Sequence, residues 1–465
     1  MALKMTKTKF RATLYFALLA IIVYFALVKS RAGRLVYLQA LGSGLPHGHN
    51  ASPTWANSKG ASERLWHIPL MEDLGPPSDE EVTQNGAGGF QPINDYEAWV
   101  YSAFIDVIND TNGIRIFGFQ RVDLKTLVYC HVTVERNKVT VINGTKEFLP
   151  DGHNLTFCAT SYICTLDMRT GSHPNNVALT FHALDTPTNQ LRVLYPRERL
   201  RNFTVCHAAL FQYSNAGQLV QSIEVNRVLG ADHFYVYNLS VSNATDAVLR
   251  RYEKLGILTV MQWRLPQDNV WYRGQNLAIN DCVYRNRLVS RYVVIQDTDE
   301  FIVPGLHNNW GELIEHVVKN TSSAAGLPSP TIGSFSVETT FHCGKPNQTQ
   351  WDDIKKDFPM TPDEEQFYRN HSLFAFLNHL RIKAVMHYNK YCKTIVRPEL
   401  ILFAGIHYTH AHRDSSTHTV VRRDLAIVHH FKDRFRPEMM DATILKFKNV
   451  MYPRLKAAFR EFPFL

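Results

Sequence analysis

The sequence lacks the common signatures of several binding sites. No Cys-x-x-Cys pair with zinc-ligand spacing occurs, which disfavours a structural zinc site. Neither a P-loop nor a Gly-x-Gly-x-x-Gly after a predicted strand is present, so an ordinary phosphate-binding or dinucleotide-binding loop is disfavoured. The 50 basic residues form no long Lys/Arg tract, which disfavours nucleic-acid binding.

What is present indicates a folded protein with an affinity for anions. The chain has 465 residues, of which 45% are hydrophobic and 12% aromatic, enough for two or three domains with hydrophobic cores. Its formal net charge is +8. Because the basic residues are scattered, this charge suits a small anionic substrate such as a nucleotide diphosphate.

The N-terminus predicts a membrane anchor. An uncharged apolar run at residues 12–28 lies between basic residues on both sides and is just long enough for a transmembrane helix. A cleaved signal peptide is the alternative, but no clear small-x-small site ends the run. We therefore expect a cytosolic tail (1–11), a transmembrane helix (12–28) and a flexible stem rich in Gly, Pro, Ser and Asn (29–95). A short span favours a single-pass type II protein of the Golgi membrane.

Two features agree with a lumenal location for the rest of the chain. Ten Asn-x-Ser/Thr sequons occur, at Asn50, Asn109, Asn143, Asn154, Asn202, Asn238, Asn243, Asn320, Asn347 and Asn370. Seven cysteines in an oxidising compartment predict disulfides with one cysteine left over.

Two folded regions follow the stem. Residues 96–199 contain short β-branched runs separated by turn signals, which predict a β-sandwich module. This module is either a carbohydrate-contacting domain or a spacer. Residues 200–465 alternate strand and helix patterns, which predict an α/β, doubly wound and mostly parallel sheet. The predicted strands are 204–212, 233–238, 257–263, 291–296 and 333–343, the predicted helices are 217–229, 242–255, 275–288 and 310–319, and residues 345–370 are predicted as a loop.

The fourth of these strands ends in an acidic cluster. Asp297 and Asp299 follow the apolar run 292–295, which is typical of a buried parallel strand. Carboxylates at the carboxyl end of such a strand lie in the crevice where open α/β sheets bind ligands. Being two residues apart, the two side chains would point to one side if the backbone were extended. The pair predicts a Mn²⁺ or Mg²⁺ site completed by diphosphate oxygens, although solvated acids at a strand end would look the same.

A longer series of motifs resembles glycosyltransferase family 92, whose catalytic domain is of the GT-A type. The resemblance spans about residues 200–435 and is carried by GADHFYVYN at 230–238, YEKLG at 252–256, WRLP at 263–266, GQ at 274–275, DC at 281–282, DTDEFIVP at 297–304, KTIVRP at 393–398 and GIH at 405–407. It implies an inverting, manganese-dependent β-1,4-galactosyltransferase that uses UDP-galactose and extends galactose or fucose on glycans. It also implies a late histidine ligand for the metal. We assign this ligand to His407, with His410 and His412 as alternatives and with His429 and His430 as structural residues.

Donor contacts are expected at the carboxyl ends of the predicted strands and at the start of the third helix. The candidates are Gln212 with its neighbour Tyr213, Tyr237, Asn238, Arg273, Gln275, Asp281 and Asp297. Each of these residues could instead be a helix cap or a structural residue. If Asn238 faces the nucleotide, its sequon stays unmodified and Asn243 is the more favourable glycan carrier.

The inverting reaction needs a general base on the acceptor side. Glu338, in the strand 333–343, is our choice, and the alternatives are Asp352, Asp353 and Asp357. The expected partners are a UDP-sugar donor, a glycan acceptor on a glycoprotein, the membrane through the N-terminal helix and a second copy in a homodimer. Two other functions remain open: transfer from a different UDP-sugar, and glycan binding by an inactive, lectin-like protein.

Overall fold

A computed structural model describes residues 89–108, 111–134, 138–166, 173–196, 200–323, 331–387 and 390–465, all of which belong to one compact unit. The predicted tail, the predicted anchor and nearly all of the predicted stem lie outside the described residues. Within the described part of the chain, no helix combines the length and the hydrophobicity that a membrane crossing requires.

The first eight strands form a single sheet. They are β1 (Gln91–Pro92), β2 (Ala98–Ile108), β3 (Thr111–Arg121), β4 (Val128–Thr133), β5 (Val139–Phe148), β6 (Phe157–Thr165), β7 (Asn176–Thr180) and β8 (Leu191–Leu194). The strand order is β1-β2-β3-β6-β5-β4-β7-β8, and β8 also pairs in parallel with β2 at Ala103↔Val193. The sheet therefore closes on itself as a barrel, and the predicted sandwich is wrong in its topology.

The interior of the barrel is hydrophobic because its strands alternate. Along β4, Val128, Cys130 and Val132 are buried, and the residues between them are partly exposed. A disulfide joins Cys130 to Cys164 on β6. A short alternating strand fits either a sandwich or a barrel, so only the pairing of β8 with β2 distinguishes the two.

The remaining strands and helices form the second folded region. The strands are β9 (Arg201–Leu210), β10 (His233–Asn238), β11 (Leu258–Gln262), β12 (Ser290–Ile295), β13 (Glu300–Pro304), β14 (Ile332–Gly344), β15 (Leu380–Arg381), β16 (Cys392–Val396), β17 (Ile401–Ala404), β18 (Thr409–His412), β19 (Thr417–Val420), β20 (Ala426–Phe431) and β21 (Met439–Met440). The helices are α1 (Ala216–Leu229), α2 (Asn243–Lys254), α3 (Gln275–Arg285), α4 (Trp310–Ser323), α5 (Gln348–Asp357), α6 (Pro362–Asn370), α7 (Phe374–Leu377) and α8 (Lys448–Arg460).

The main sheet has the predicted doubly wound character. Strands β11, β10, β9 and β12 are parallel neighbours in that order, followed by β16, which is antiparallel to β12, and by β14. From β9 the chain continues to β10 and then to β11, which both lie on one side of β9 within the sheet. Strand β12 lies on the other side of β9. The boundary between β9 and β12 is thus a topological switch point, where open α/β sheets bind their ligands.

Helix α3 lies between this sheet and the barrel. Phe117 of β3 makes an edge contact with Tyr284 of α3, with ring centroids 4.8 Å apart. A disulfide joins Cys282 of the same helix to Cys206 of β9. The barrel and the main sheet therefore share one hydrophobic core, in which α3 is the middle layer.

The cysteine prediction was wrong in its count. The two disulfides use four of the seven cysteines, and Cys158 and Cys343 are buried thiols. Since cysteine is among the residue types that are most often fully buried, a thiol in a core needs no partner to be stable.

Candidate active site

A cavity opens at the switch point. It has a volume of about 740 Å³, and its walls are formed by residues 207–211 and Tyr213 at the end of β9, by residues 268–270, Tyr272 and Arg273 after β11, and by Asp297 and Thr298 after β12. This volume is in the range of small-molecule sites. The cavity therefore lies where strand order alone predicts a ligand site.

The segment after β12 is a turn. Thr298 is buried, and its hydroxyl accepts hydrogen bonds from Gln218 Nε2 at 2.9 Å and from the Tyr213 hydroxyl at 3.2 Å. The expectation that extended backbone aligns the two aspartates was wrong, because residues 298 and 299 turn immediately after the strand. Asp297 and Asp299 nevertheless stay close to the surface, with side chains 37% and 28% exposed.

A buried lysine supports the first aspartate. Lys393 of β16 is 2% exposed, and its Nζ lies 2.9 Å from Asp297 Oδ2 and 2.8 Å from Glu300 Oε2. Burial raises the cost of ionising Asp297, but the Lys393 ammonium outweighs it and lowers the pKa of that carboxyl. The pKa of Lys393 is raised despite its burial, since two carboxylates hold its proton. Asp297 is therefore an ionised and fixed oxygen donor at neutral pH.

A histidine faces the second aspartate. His430 of β20 is opposite Glu300 in the β13–β20 register, and its Nδ1 lies 3.1 Å from Glu300 Oε1. Its Nε2 is buried, lies 3.5 Å from Asp299 Oδ2 and has no hydrogen-bond partner among the described residues. Metal-binding histidines typically donate their other ring N–H to a carboxylate in this way. Asp299 and His430 therefore bring an oxygen donor and a nitrogen donor together, ligand types that divalent cations accept, and Asp297, two residues before Asp299, is the candidate for a second oxygen donor.

The predicted histidine ligands lie elsewhere. His407 Nδ1 is 3.4 Å from the carbonyl oxygen of Cys392, and His407 makes no described ion pair with either aspartate. His410 Nε2 is 2.7 Å from Asp151 Oδ2 of the barrel, and His412 Nε2 is 2.9 Å from the Ser334 hydroxyl. The structure thus favours His430 over His407, His410 and His412 as the nitrogen donor. The prediction that His430 has only a structural role was therefore wrong.

Two predicted donor residues lie in the core instead of the cavity. Tyr237 and Asp281 are fully buried, and the Tyr237 hydroxyl donates to Asp281 Oδ2 at 2.6 Å. Arg285 donates to the same oxygen at 2.7 Å. Alternate residues of β10 face opposite sides of the sheet. Tyr237 lies on the side that packs against α3, so its ring points away from the cavity. Both residues stabilise the layer between the sheet and the barrel, and their assignment to the donor site was wrong.

Of the other predicted donor residues, Arg273 lines the cavity, and Gln212, Asn238 and Gln275 are not among its wall residues. Arg273 forms part of its wall, with its guanidinium 4.2 Å above the Phe211 ring and in an ion pair with the exposed Asp268. Gln212 is exposed after β9, and its N–H donates to the Ser240 hydroxyl. Asn238 is partly exposed at the end of β10, and Gln275 is buried at the start of α3. Their contact with a donor stays a prediction, as does the glycan state of Asn238 and of Asn243, which begins α2.

Glu338, the predicted base, lies two strands from Asp297. It is buried on β14 and pairs in register with Cys392 of β16, the residue before Lys393. Both of its oxygens contact the Arg423 guanidinium, with Arg423 Nη2 at 3.3 Å from Oε1. The Glu338 carboxylate is therefore engaged in an ion pair with Arg423. Its catalytic role stays a prediction.

Sequence reasoning missed three residues of the site. His207 of β9 forms part of the cavity wall, and its Nδ1 lies 3.0 Å from the carbonyl oxygen of Gln296. The position of Lys393 could have been noticed in the sequence, because a charged residue stands at the start of an apolar, β-branched run that predicts a buried strand. His430 had none, since nothing in the sequence reveals that β20 pairs with β13.

Comparison with known proteins identifies the family. Residues 201–462 match the family described as glycosyltransferase family 92. The beta-1,4-galactosyltransferase galt-1 of Caenorhabditis elegans is 26% identical over 390 residues, which cover 78% of this chain and 79% of that protein. A second family 92 protein of C. elegans, F13G3.3, is 27% identical over 148 residues, covering 29% of this chain and 28% of its own.

Solved structures give only distant matches. A glucosyl-3-phosphoglycerate synthase from Mycobacterium tuberculosis, solved in complex with Mn²⁺, UDP and glucosyl-3-phosphoglycerate, is 13% identical. The match covers 56% of this chain and 80% of that chain, with a TM-score of 0.23. The family assignment therefore follows from the sequence match, which covers more than half of the chain. This protein belongs to glycosyltransferase family 92.

Proposed function

We propose that this protein is an inverting, divalent-metal-dependent β-1,4-galactosyltransferase. Its donor is UDP-galactose, and its acceptor is a terminal galactose or fucose of a glycoprotein glycan. The observation that carries this proposal is the arrangement of Asp297, Asp299 and the unpartnered Nε2 of His430 beside a cavity at the switch point of the sheet.

The three side chains would hold Mn²⁺ or Mg²⁺. When bound, such an ion stabilises the negative charge that develops on the leaving diphosphate. Lys393 keeps Asp297 ionised and in place, and Glu300 orients the His430 ring. Arg273 can turn to a diphosphate at small cost, because its present partner Asp268 is 95% exposed and such ion pairs contribute little stability.

The cavity wall suits a nucleotide. Phe211 and Tyr213 provide ring surface near the end of β9, where His207 and Thr298 supply polar atoms. A pocket of this kind, mostly apolar with a few fixed polar groups, both binds and orients a ligand. Orientation matters here because inversion requires the acceptor hydroxyl to attack the anomeric carbon opposite the departing UDP.

The proposed location is the Golgi lumen, with a type II anchor at residues 12–28. Support comes from the sequence: the apolar run with basic flanks, and the ten sequons. The two disulfides are also compatible with an oxidising compartment.

The test is turnover by the purified full-length protein in detergent. A panel of UDP-sugars is supplied with Mn²⁺ and with methyl β-galactoside or methyl α-fucoside as acceptor. We expect transfer from UDP-galactose and its loss on chelation. Turnover from another UDP-sugar would replace the donor assignment, and glycan binding without turnover would favour the lectin-like alternative.

A matched pair of variants tests the metal site within the same assay. Asp299→Asn replaces a negatively charged carboxylate with a neutral amide. It should lower kcat by about 10²- to 10³-fold, which is the typical loss when one group that stabilises transition-state charge is removed. Asp246→Asn removes an equally conservative charge from an exposed pair with Arg250 on α2 and should leave kcat unchanged. Full activity in Asp299→Asn would rule out this metal site.

A further inference from the structure

The barrel contributes a loop to the edge of the cavity. This barrel loop, residues 149–156, connects β5 to β6. Asn276 Nδ2 donates to the Pro150 carbonyl at 2.8 Å, and Asn269 Nδ2 donates to the Thr156 hydroxyl at 3.2 Å. On its other side, Asp151 Oδ2 lies 2.7 Å from His410 Nε2. The barrel loop therefore bridges the segment that forms one cavity wall and the segment that follows β17.

Three rings lie together at this edge. The His153 ring stacks on Trp271 with centroids 3.6 Å apart and planes 25° apart. Trp271 contacts Tyr272 at 5.0 Å, and Tyr272 forms part of the cavity wall although it is 68% exposed. We call His153, Trp271 and Tyr272 the rim aromatics. Exposed aromatic side chains with polar tips are a typical surface for binding a second molecule.

The backbone holds the rim aromatics at a cost. His153 has a φ of +49° and Tyr272 a φ of +40°, and the neighbouring Asp151, Asn154 and Arg273 also have positive φ. Each costs of the order of 1 kcal/mol for a residue other than glycine. Strained conformations occur on both sides of the His153–Trp271 contact, so the surrounding structure stabilises this contact specifically.

A carboxylate accompanies the rings. The hydrogen bond from His410 lowers the pKa of Asp151, so this side chain is an ionised acceptor for hydroxyl groups. His407 lies within electrostatic range of both Asp151 and Asp297. Through its contact with His410, close in the chain to His407, the barrel loop thus reaches the neighbourhood of Asp297.

We propose that the barrel loop forms the acceptor subsite, where the rim aromatics stack on the face of a neutral terminal pyranose and Asp151 accepts a hydrogen bond from one of its hydroxyls. This inference rests on the proposed function, because it takes the second substrate to be a glycan. It makes the barrel a determinant of acceptor choice instead of a spacer.

The first test separates the KM values of the two substrates. His153→Ala is compared with His182→Ala, which removes another exposed histidine of the barrel, in the loop between β7 and β8. We expect His153→Ala and Asp151→Asn to raise the KM for methyl β-galactoside about tenfold, equal to about 1.4 kcal/mol, with less than a twofold change in the KM for UDP-galactose. An unchanged acceptor KM, or an equal rise in both KM values, would overturn the inference.

The second test does not need turnover. Saturation-transfer NMR measures the binding of methyl β-galactoside to the full-length protein. If no donor is consumed, the proposed function fails, but weaker saturation transfer in His153→Ala than in His182→Ala still supports the acceptor subsite. Equal saturation in both variants, or none in the unaltered protein, would overturn it.

Discussion

At the scale of single residues, the site depends on partners that surround the two aspartates. Asp297 is held by a buried ammonium, and Asp299 faces an imidazole whose other nitrogen is occupied by Glu300. The aspartates alone would be two solvated acids. Their buried partners are what make them a site.

The first prediction compares two histidines. His430→Ala should weaken Mn²⁺ binding at least tenfold, because it removes the ring nitrogen that lies 3.5 Å from Asp299 Oδ2. His407→Ala should leave the affinity nearly unchanged, since His407 contacts the Cys392 carbonyl instead. Titration of Mn²⁺ by electron paramagnetic resonance measures both. The reverse order of effects would restore His407 as the ligand.

The second prediction concerns acid stability. Burial lowers the pKa of His233 to about 3 and that of His379 to about 4. Their unfolded-state pKa is about 6.5. Between pH 6.5 and 4 the unfolded chain therefore binds protons that the folded chain does not. The free energy of unfolding should fall as the pH drops through this range, by up to about 1.4 kcal/mol per pH unit for each histidine.

Denaturant titrations at pH 7, 6 and 5 measure this slope. His233→Gln and His379→Gln should each reduce it, and the exposed His182→Gln should not. The comparison uses the slope and not the absolute stability, so any constant loss of stability in a variant does not matter. If all three variants showed the same change of unfolding free energy with pH, His233 and His379 would not be the source of that pH dependence.

At the scale of elements, the turn before α3 joins the barrel to the cavity wall. Gly274 precedes α3 with a φ of +77°, and a Cβ there would lie 2.7 Å from Phe119 Cζ of the barrel. This glycine therefore satisfies two requirements, a left-handed backbone and the close approach of an aromatic ring. Gly256 has a similar φ of +68° but nothing within 4 Å of its Cβ position.

The third prediction uses that difference. Gly256→Ala should lower the unfolding free energy by about 1 kcal/mol, because alanine is less stable than glycine in a left-handed backbone conformation and meets no steric clash here. Gly274→Ala should cost about 1 to 3 kcal/mol more, because the ring must shift. Thermal and denaturant unfolding measure both. Equal losses would mean that Phe119 moves freely and that the contact is not tight.

Much of the element pattern could be predicted from the sequence. The strand 233–238 matches β10, and the helix 217–229 differs from α1 by one residue, because period and caps are local signals. The loop predicted at 345–370 instead holds α5 and α6. Both helices begin with a capping box, Asn347 with Gln350 and Thr361 with Glu364, a local helix signal that the polar composition of this stretch conceals.

At the scale of the whole molecule, one buried carboxylate connects the two sheets. Asp106 of β2 is fully buried and contacts Arg115 of the barrel at 2.8 Å. It also contacts Arg287, after α3, and Arg413, after β18, each at 2.8 Å. Burial opposes ionisation of Asp106, but the three guanidinium groups outweigh it and lower its pKa. Such long-range pairing, like the closure of the barrel, leaves no local trace in a sequence.

The fourth prediction tests this connection. Asp106→Asn removes the buried charge that the three arginines share, while Arg115 keeps its ion pair with Glu147, and should destabilise the protein by about 3 to 5 kcal/mol. Asp123→Asn, on the surface of the same barrel, should leave stability unchanged. Unfolding monitored separately by tryptophan fluorescence and by circular dichroism should show whether the two sheets still unfold together. A loss below about 1 kcal/mol would show that Asp106 is dispensable.

The position of Asp106 also determines where the polypeptide can be cut. Asp106 lies 181 residues before Arg287, so a product that starts near residue 200 would lack the buried carboxylate that contacts Arg287 and Arg413. Such a product should aggregate and be degraded. A cut that keeps Asp106 joined to the main sheet must therefore fall before the barrel.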